Sequence, residues 1–416
     1  MKRLPTSGPR TVAAASLLWL AACAPAGPPL ELGGVEFSGP PGSAEPNLFA
    51  SSDGQVLMSW HEPAGEAGHT LRMAVRSAGA WAEPITVAAD REFFVNWADF
   101  PSVVEQTDGT WLVHWLEKMA RAPYAYHVMV SRSTDRGATW SEPFRPHRDM
   151  SATEHGFVSM VTPPTGGAAL LWLDGRGASE GAAGHGGSMS LRFTTVAGDG
   201  ALGEDMLVDG RVCDCCQTAM IMTDAGGLVA AYRDRSEEEI RDIGVSRLED
   251  GAWSEAYHVG NDNWHYAACP VNGPSLASAG ETVAITWYTE GVGDPATQGE
   301  GHPRVQLAFS SDDGATFGEP VHIDDGDPLG RVDLEMLPDG SALVIWLEKA
   351  EENAEIRARR VTPAGAADPS WTVSTTSGAR RSGFPRMVAL EREMVFAWTD
   401  PSEDGGIRIA SAAWKR

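Results

Sequence analysis

Residues 47–62, Asn-Leu-Phe-Ala-Ser-Ser-Asp-Gly-Gln-Val-Leu-Met-Ser-Trp-His-Glu, decide the fold, because their pattern returns along the whole chain. An apolar run meets the pair Asp53-Gly54, and a second apolar run ends at Trp60, with Glu62 two residues later. An Asp-Gly pair between two β-rich runs is a strong signal for a β-hairpin. The stretch therefore predicts two antiparallel strands, the second ending on an aromatic residue and a carboxylate.

The same hairpin pattern occurs seven times, at a period of roughly 50 to 60 residues. The later turns are Asp108-Gly109, Gly166-Gly167, Gly226-Gly227, Ala279-Gly280, Asp339-Gly340 and Leu390-Glu391. The aromatic residues are Trp60, Trp115, Trp172, Tyr232, Trp287, Trp346 and Trp398. The carboxylates are Glu62, Glu117, Asp174, Asp234, Glu290, Glu348 and Asp400. This self-similarity predicts a repeat architecture rather than several separate domains.

The repeats predict an all-β fold, a β-propeller whose blades each have four strands. Each hairpin is followed by a third strand and a weaker fourth strand, and we expect seven blades, with six as the alternative. The last repeat holds at most three strands and ends at residues 407–414. Residues 35–37, ahead of the first repeat, are expected to supply its missing outer strand and close the ring.

The N-terminus has the features of an export signal. Lys2, Arg3 and Arg10 precede the apolar residues 11–20, which are too few to span a membrane. The following Leu20-Ala21-Ala22-Cys23 resembles the bacterial lipobox, in which the thiol is lipidated and becomes the mature N-terminus. An ordinary signal peptide with a chance cysteine is the alternative.

The lipobox resemblance implies the domain organisation and the location. Residues 1–22 are predicted to be a lipoprotein signal peptide, residues 23–33 a flexible tether lipidated at Cys23, and residues 34–416 one propeller domain. Ala24 after the cysteine suggests the outer membrane of a bacterium, on its periplasmic or its cell-surface side. The membrane is then a partner through the lipid on Cys23.

The composition limits the remaining partners. The formal net charge is −25, which argues against nucleic acid as a partner, because nucleic-acid binding requires a basic surface. The 46 glycines, 27 prolines and 15 tryptophans suit a body of many strands and turns. A glycan or another small anionic ligand remains a candidate partner.

Two segments match the pattern S-x-D-x-G-x-T-[W/F], and this pattern resembles the Asp-box of sialidases and of bacterial neuraminidase repeats. In this motif the Asp side chain accepts turn hydrogen bonds, the Gly takes a positive φ, and the aromatic residue packs between sheets. The motif is structural and carries no catalysis. The matching residues are Ser133, Asp135, Gly137, Thr139 and Trp140 in one copy, and Ser310, Asp312, Gly314, Thr316 and Phe317 in the other.

We expect the candidate functional side chains to lie on one rim of the ring. In each hairpin the end of the second strand returns beside the start of the first, so the seven carboxylates should share a rim with the inner-strand openings. Local pairing with neighbouring Lys or Arg side chains is the alternative role for these carboxylates. The openings contain Asp99, Glu154, His155, Cys213 to Cys216, Cys269, Arg331 and Arg386. The Asp-box turns are expected on the opposite rim.

The sialidase resemblance implies a substrate carboxylate held by three arginines, since the guanidinium forms bidentate hydrogen bonds. The family places its first arginine in an Arg-Ile-Pro motif, and the three comparable openings here have no Arg at that position. Arg331 and Arg386 could supply two arginines, with Arg235 or Arg233 as the third. Asp234 or Asp99 could act as the acid.

The four cysteines other than Cys23 fall in two successive inner-strand openings. Exported cysteines usually form disulfides, so two bridges between neighbouring blades are one interpretation. A metal site is the second, because thiolates with imidazoles are soft ligands that suit copper(I) or zinc. Redox-active thiols are the third. The candidate metal ligands are Cys213, Cys215, Cys216, Cys269, His155 and His265.

These observations favour an exported, lipid-anchored, sialidase-like propeller that is atypical or non-catalytic and binds a ligand or metal at an axial funnel lined by Cys and Arg. The first alternative is an exo-sialidase or a related exo-glycosidase acting on acidic sugars. The second alternative is a protein-interaction platform, which is a common use of propellers.

Overall fold

The structure, a computed structural model, describes Met1 and residues 30–65, 68–177, 187–291 and 301–415. The predicted signal peptide, the lipidation site Cys23 and the tether up to residue 29 lie outside the described residues. Within the described part of the chain, no helix is long and apolar enough to cross a membrane.

Seven antiparallel sheets form a ring, so the prediction of an all-β propeller with seven blades is confirmed and the six-bladed alternative is wrong. The first blade consists of β2 (Ala44–Ala50), β3 (Val56–Ala64), β4 (Gly68–Ser77), β5 (Ala80–Trp81) and β6 (Ile85–Ala88). The second consists of β7 (Ser102–Glu105), β8 (Trp111–Lys118) and β9 (Tyr126–Ser133). The third consists of β10 (His155–Val161), β11 (Ala168–Asp174), β12 (Met189–Val196) and β13 (Met206–Val212).

The remaining blades follow the same order. The fourth consists of β14 (Ala219–Met222), β15 (Leu228–Arg233), β16 (Ile243–Glu249), β17 (Ala252–Trp253) and β18 (Tyr257–Val259). The fifth consists of β19 (Ser275–Ala279), β20 (Thr282–Thr289), β21 (Arg304–Ser310) and β22 (Val321–His322). The sixth consists of β23 (Pro328–Met336), β24 (Ala342–Ala350), β25 (Asn353–Val361) and β26 (Trp371–Thr376). The seventh consists of β27 (Arg386–Ala389), β28 (Glu393–Thr399), β29 (Ile407–Trp414) and β1 (Leu30–Ser38).

The fourth strands are the least regular, as the sequence predicts. In the second blade the outer strand is reduced to an isolated bridge between Val130 and Phe144. In the first and fourth blades it is split into two short strands that pair with the same neighbour. A 3-10 turn, Arg380–Ser382, precedes the innermost strand of the last blade.

The N-terminal strand closes the ring. β1 is antiparallel to β29, with Leu30 opposite Trp414 and Val35 opposite Ala410. The expectation that residues 35–37 complete the last blade is therefore confirmed. Residues 30–33, which we expected in the tether, belong to this strand instead, because their backbone pairs with the last strand of the chain.

The repeat aromatics form the contacts between blades. Six of the seven are less than 2 % exposed, and Trp398 is 6 % exposed. Residues two apart on a strand point to the same side, and six of the seven carboxylates follow their aromatic residue at this spacing, whereas Glu290 follows Trp287 by three residues. The indole N–H groups of Trp60, Trp115, Trp172 and Trp346 donate to Glu62, Glu117, Asp174 and Glu348 at 3.0, 3.2, 2.8 and 2.6 Å. Local pairing, rather than substrate binding, thus accounts for these four carboxylates.

The two S-x-D-x-G-x-T segments form the same turn. Asp135 accepts hydrogen bonds from the backbone N–H of Thr139 at 2.8 Å and from its hydroxyl at 2.6 Å. Asp312 accepts the equivalent bonds from Thr316 at 2.9 and 2.7 Å. Trp140 and Phe317 pack against the hydrophobic clusters beside their turns. Both turns join a third strand to a fourth, so they lie on the rim opposite the ends of the second strands.

Candidate functional site

The rim at the ends of the second strands brings three of the four cysteines together. Cys213 to Cys216 follow β13 and lead into β14, and the backbone N–H of Cys213 donates to the carbonyl of Arg233 at 2.9 Å. The sulfur atoms of Cys213, Cys215 and Cys216 all lie within 4.8 Å of one another, and those of Cys213 and Cys216 are 2.8 Å apart. All four rim cysteines are free thiols.

The fourth cysteine reaches this group from the next inner-strand opening. Cys269 precedes β19 and is exposed to solvent, and its interaction with the Cys215 thiol lowers its pKa. Burial opposes ionisation of Cys213, but contacts from the thiols of Cys215 and Cys216 hold its pKa well below the ordinary range. Burial raises the pKa of Cys216. The two thiols whose pKa is lowered are therefore Cys213 and Cys269.

The two histidines that we predicted as partners of the cysteines lie elsewhere. Among the described residues, the group of three converging thiols includes neither His155 nor His265. His265 is exposed and forms an isolated backbone bridge with Ile240. His155 is buried in a separate cluster with His127 and His147, where one ligand nitrogen from each ring lies within 4.8 Å of the others.

This histidine cluster belongs to the second and third blades. His127 lies near the start of β9, His147 in the connection that follows, and His155 at the start of β10. Burial, followed by the neighbouring His155, lowers the pKa of His147 to about 3 and that of His127 to about 4. Both rings are therefore neutral near pH 7 and keep a lone pair. His127 and His147 were not predicted, although four of the chain's 11 histidines fall between His114 and His155.

Arg331 does not present its guanidinium to an open funnel. It donates to the carbonyls of Ala379 and Gly383 at 3.0 and 3.1 Å and to the Ser382 hydroxyl at 2.8 Å. Its guanidinium also stacks over Trp97 at 4.8 Å. Burial lowers the pKa of Arg331 to about 10. This arginine holds the segment before β27 and is 7 % exposed.

The other arginines are also engaged. Arg386 stacks over Phe100, donates to Asn47 at 3.2 Å and lies 3.4 Å from an oxygen of Asp333. Arg235 binds Asp214 at 3.1 Å and Glu239 at 2.8 Å. Arg233, the alternative third arginine, donates only to backbone carbonyls among its described contacts. The structure thus brings Arg331 and Arg386 to one aromatic network near the axis but leaves Arg235 with the acidic side chains of the cysteine loop.

The two candidate acids have different surroundings. Asp234 is paired with His258 at 2.8 Å. Asp99 is 4 % exposed and accepts the backbone N–H of Phe157 at 2.7 Å. Burial, with a contribution from Glu154, raises the pKa of Asp99 to about 7. Burial also raises the pKa of Glu154 to about 7, and the Tyr126 hydroxyl donates to it at 3.2 Å.

The axis of the ring is nearly filled. The innermost strands enclose a cavity of about 180 Å³, lined among others by Ser102, Asp333, Glu335 and Arg386. Pockets that enclose small-molecule ligands measure about 300 to 1,000 Å³. The axial cavity is smaller than this range.

The fold of this protein is a seven-bladed β-propeller. No protein-family model matches the sequence, and no curated protein matches it. Solved structures do match. The lectin BP39L from Burkholderia pseudomallei aligns with a TM-score of 0.59 at 13% identity, over 91% of this chain and 97% of the lectin.

Two sugar-cleaving propellers are also similar in fold. The GH93 α-L-arabinofuranosidase of Fusarium graminearum, in complex with arabinobiose, aligns with a TM-score of 0.52 at 14% identity, over 93% of this chain and 98% of that one. An ulvan lyase of family PL25 bound to -[GlcA(1-4)Rha3S]- aligns with a TM-score of 0.54 at 11% identity, over 91% and 95%. At these identities the similarity establishes the fold alone.

Proposed function

We propose that this protein is an exported, lipid-anchored propeller that binds a thiophilic metal ion, copper(I) or zinc, through Cys213, Cys215, Cys216 and Cys269. The observation that carries the proposal is the convergence of three sulfur atoms within 4.8 Å. Cys269, from a separate segment, interacts with the Cys215 thiol, and this interaction lowers the pKa of Cys269. Thiolates select Cu(I) and Zn(II), and four of them can complete a tetrahedral zinc site.

The surroundings of the cysteines support metal exchange with solvent. Cys213 and Cys216 are buried, whereas Cys269 is exposed and gives the ion a route into the cluster. The guanidinium of Arg241, which is 3 % exposed, lies close enough to lower the pKa of both Cys213 and Cys269. Deprotonated sulfur is the form that binds metal.

The position of β1 supports an outward orientation of the cysteine rim. Leu30 pairs with Trp414, at the end of a third strand, and third strands end on the rim of the S-x-D-x-G-x-T turns. A lipid on Cys23, seven residues before Leu30, would hold that rim towards the membrane. The cysteines would then face the aqueous side. Replacing Cys23 with Ser should release the protein from membranes, as measured by fractionation and by incorporation of labelled palmitate.

The first test of the metal site is native mass spectrometry of a soluble, unreduced variant with Cys23→Ser, after anaerobic exposure to Cu(I) or to Zn²⁺. We expect one metal ion bound by the cysteines, with four thiols reactive to alkylation once the metal is removed. Cys216→Ser should lower the number of bound metal ions by one. Asp214→Asn is the matched control, because it changes the same loop without removing a sulfur.

Two results would contradict this proposal. One is a protein without bound metal whose mass is lower than that of the fully reduced chain by the hydrogens lost in two disulfides. The cysteines would then be structural. The other is a number of bound metal ions that Cys216→Ser leaves unchanged, which would mean that the cysteines bind none.

A second candidate function is binding or cleavage of a polysaccharide at the same rim. It is favoured by the half-buried Glu154, whose pKa of about 7 suits proton transfer near neutral pH, and by the adjacent Asp99 and Tyr126. Similar propellers have been solved with arabinobiose and with a sulfated uronic-acid saccharide. Turnover of arabinan, ulvan or a sialoside that is lost in Glu154→Gln but kept in Cys216→Ser would establish this function. Absence of turnover and of binding across that panel would exclude it for these substrates.

A further inference from the structure

His155 faces its neighbours in a way that requires a cation. Its Nδ1 lies 3.1 Å from the carbonyl of Tyr126 and 3.3 Å from that of Thr153, and a carbonyl can only accept, so Nδ1 carries the hydrogen. Nε2 then points its lone pair at Oδ2 of Asp149, 3.0 Å away, and at Oδ2 of Asp174, 3.7 Å away. Such a contact between a lone pair and carboxylates is favourable only with a proton or a metal ion between them.

His147 has the same need for a partner. It is 3 % exposed, and neither of its ring nitrogens has a hydrogen-bond partner in the described part of the chain. The ring lies parallel to that of His155 with a centroid distance of 4.1 Å, and one ligand nitrogen of each lies within 4.8 Å of the other. His127 also leaves Nδ1 buried without a partner. Buried polar groups without partners are rare because their desolvation is not compensated.

We propose that His127, His147 and His155, with the carboxylate of Asp149, form a binding site for a divalent transition-metal ion such as Zn²⁺. One ligand nitrogen from each ring lies within 4.8 Å of the others, and the corresponding atoms of Asp149, His155 and Asp174 meet the same limit. Imidazole nitrogens and a carboxylate oxygen are a common donor set for zinc. The ion would satisfy the unpartnered nitrogens and bridge His155 to Asp149.

Neighbouring residues position the proposed metal ligands. Asp174 already accepts the Trp172 indole N–H at 2.8 Å and pairs with Arg176 at 2.6 Å, so it orients the site rather than completing it. The carbonyl of Tyr126 holds His155 by its other nitrogen, as carbonyls do for metal-binding histidines. Arg145 Nη1 lies 3.5 Å from Nε2 of His127, which leaves Nδ1 of that ring for the ion.

The cluster is reached from solvent through a hollow of about 590 Å³ on the surface of the second blade. Its lining includes His127, His147 and Arg145, so two of the three imidazoles border the entrance. Among the described residues, the histidine site and the cysteine cluster share no ligand. The histidine site offers nitrogen and oxygen ligands, whereas the cysteine cluster offers softer sulfur ligands.

Cobalt(II) is the probe that separates the two sites. In the Cys23→Ser protein we expect Co²⁺ at the cysteines to give thiolate-to-cobalt charge transfer in the near ultraviolet, and Co²⁺ bound by imidazole and carboxylate to give visible d–d bands. In the Cys23→Ser, Cys216→Ser protein the charge transfer should be lost and the d–d bands of one Co²⁺ should persist. His147→Gln should weaken Co²⁺ and Zn²⁺ binding at this site at least tenfold, because it removes a ligand.

His258→Gln is the matched control, since this histidine lies on the same rim paired with Asp234, outside the cluster. It should leave the affinity unchanged. Circular dichroism checks the fold of each variant. If His147→Gln does not fold, Asp149→Asn tests the site instead, because this carboxylate is 17% exposed and its replacement disturbs the core less. Loss of binding in Asp149→Asn supports the site. Two results would overturn the proposed histidine site. One is that no Co²⁺ bands occur without thiolate charge transfer. The other is metal binding that is unchanged in folded His147→Gln and Asp149→Asn.

Discussion

At the residue scale, four repeat tryptophans donate an indole hydrogen bond to the carboxylate of the same repeat, and this bond explains why the two residue types occur together. A fully buried indole fills the space between two blades, but its N–H loses water and requires an acceptor. A Glu or Asp two positions later on the strand supplies it. Where that pair is not formed, a neighbouring segment substitutes: Asp262 accepts from Trp287 at 2.7 Å, and Asp209 from the Tyr232 hydroxyl at 2.8 Å.

Replacing Trp346 with Phe tests this bond. The Trp346 indole donates to Glu348, a carboxylate that also accepts the backbone N–H of Asp327. Trp398→Phe is the matched control, since the described residues show no hydrogen bond from its indole and the loss of ring volume is the same. We expect Trp346→Phe to lower the free energy of unfolding by about 1–3 kcal/mol more than Trp398→Phe, as measured by urea denaturation. Equal losses would mean that the indole contributes by volume alone.

At the scale of elements, the closure of the ring depends on one strand from the start of the chain. β1 has few buried side chains of its own, so backbone pairing with β29 is reinforced by a charged contact. Arg76 on β4, which is 4 % exposed, binds Glu36 of β1 at 3.0 Å and Glu393 of β28 at 2.8 Å. The guanidinium thus joins the first blade to two strands of the last.

Arg76→Met should therefore loosen the closure. The variant leaves two partly buried carboxylates without their cation, and we expect the free energy of unfolding to fall by roughly 1–3 kcal/mol. This loss is smaller than for a fully buried ion pair, because both glutamates are about a quarter exposed to solvent. Hydrogen exchange should show reduced protection of residues 30–38. Arg72→Met is the control, because Arg72 contacts Glu62 and Thr86 within the first blade. Equal protection of β1 in both variants would refute the closure role.

At the scale of the whole molecule, the seven innermost strands bring acidic side chains to a narrow axis. Asp333 and Glu335 lie on one of these strands, and Arg386 comes from the next blade. Burial, followed by the charge of Asp333, raises the pKa of Glu335 to about 8. The folded protein therefore keeps a proton on Glu335 to a higher pH than the unfolded chain does.

This difference predicts how stability depends on pH. Between the ordinary pKa of 4.5 and about 8, the unfolded chain binds fewer protons at this position than the folded protein, so stability falls as pH rises. The contribution is at most about 5 kcal/mol. Urea denaturation at pH 5 and pH 8 should show a smaller fall in Glu335→Gln than in the wild type. Glu391→Gln, on an exposed hairpin turn, is expected to retain the wild-type fall, and an unchanged slope in Glu335→Gln would contradict the assignment.

The sequence alone determined the fold, because hairpin turns, strand alternation and the Trp–carboxylate spacing are local and repeat seven times. It also placed Cys213 and Cys269 in successive inner-strand openings. Tertiary structure decided which side chains meet. We predicted His155 beside the cysteines, but it lies with His127 and His147. The guanidinium of Arg331 donates hydrogen bonds to backbone carbonyls instead of facing a ligand site. Strand order fixes the rim on which a residue lies. The direction of each side chain depends on packing between blades, which no local pattern encodes.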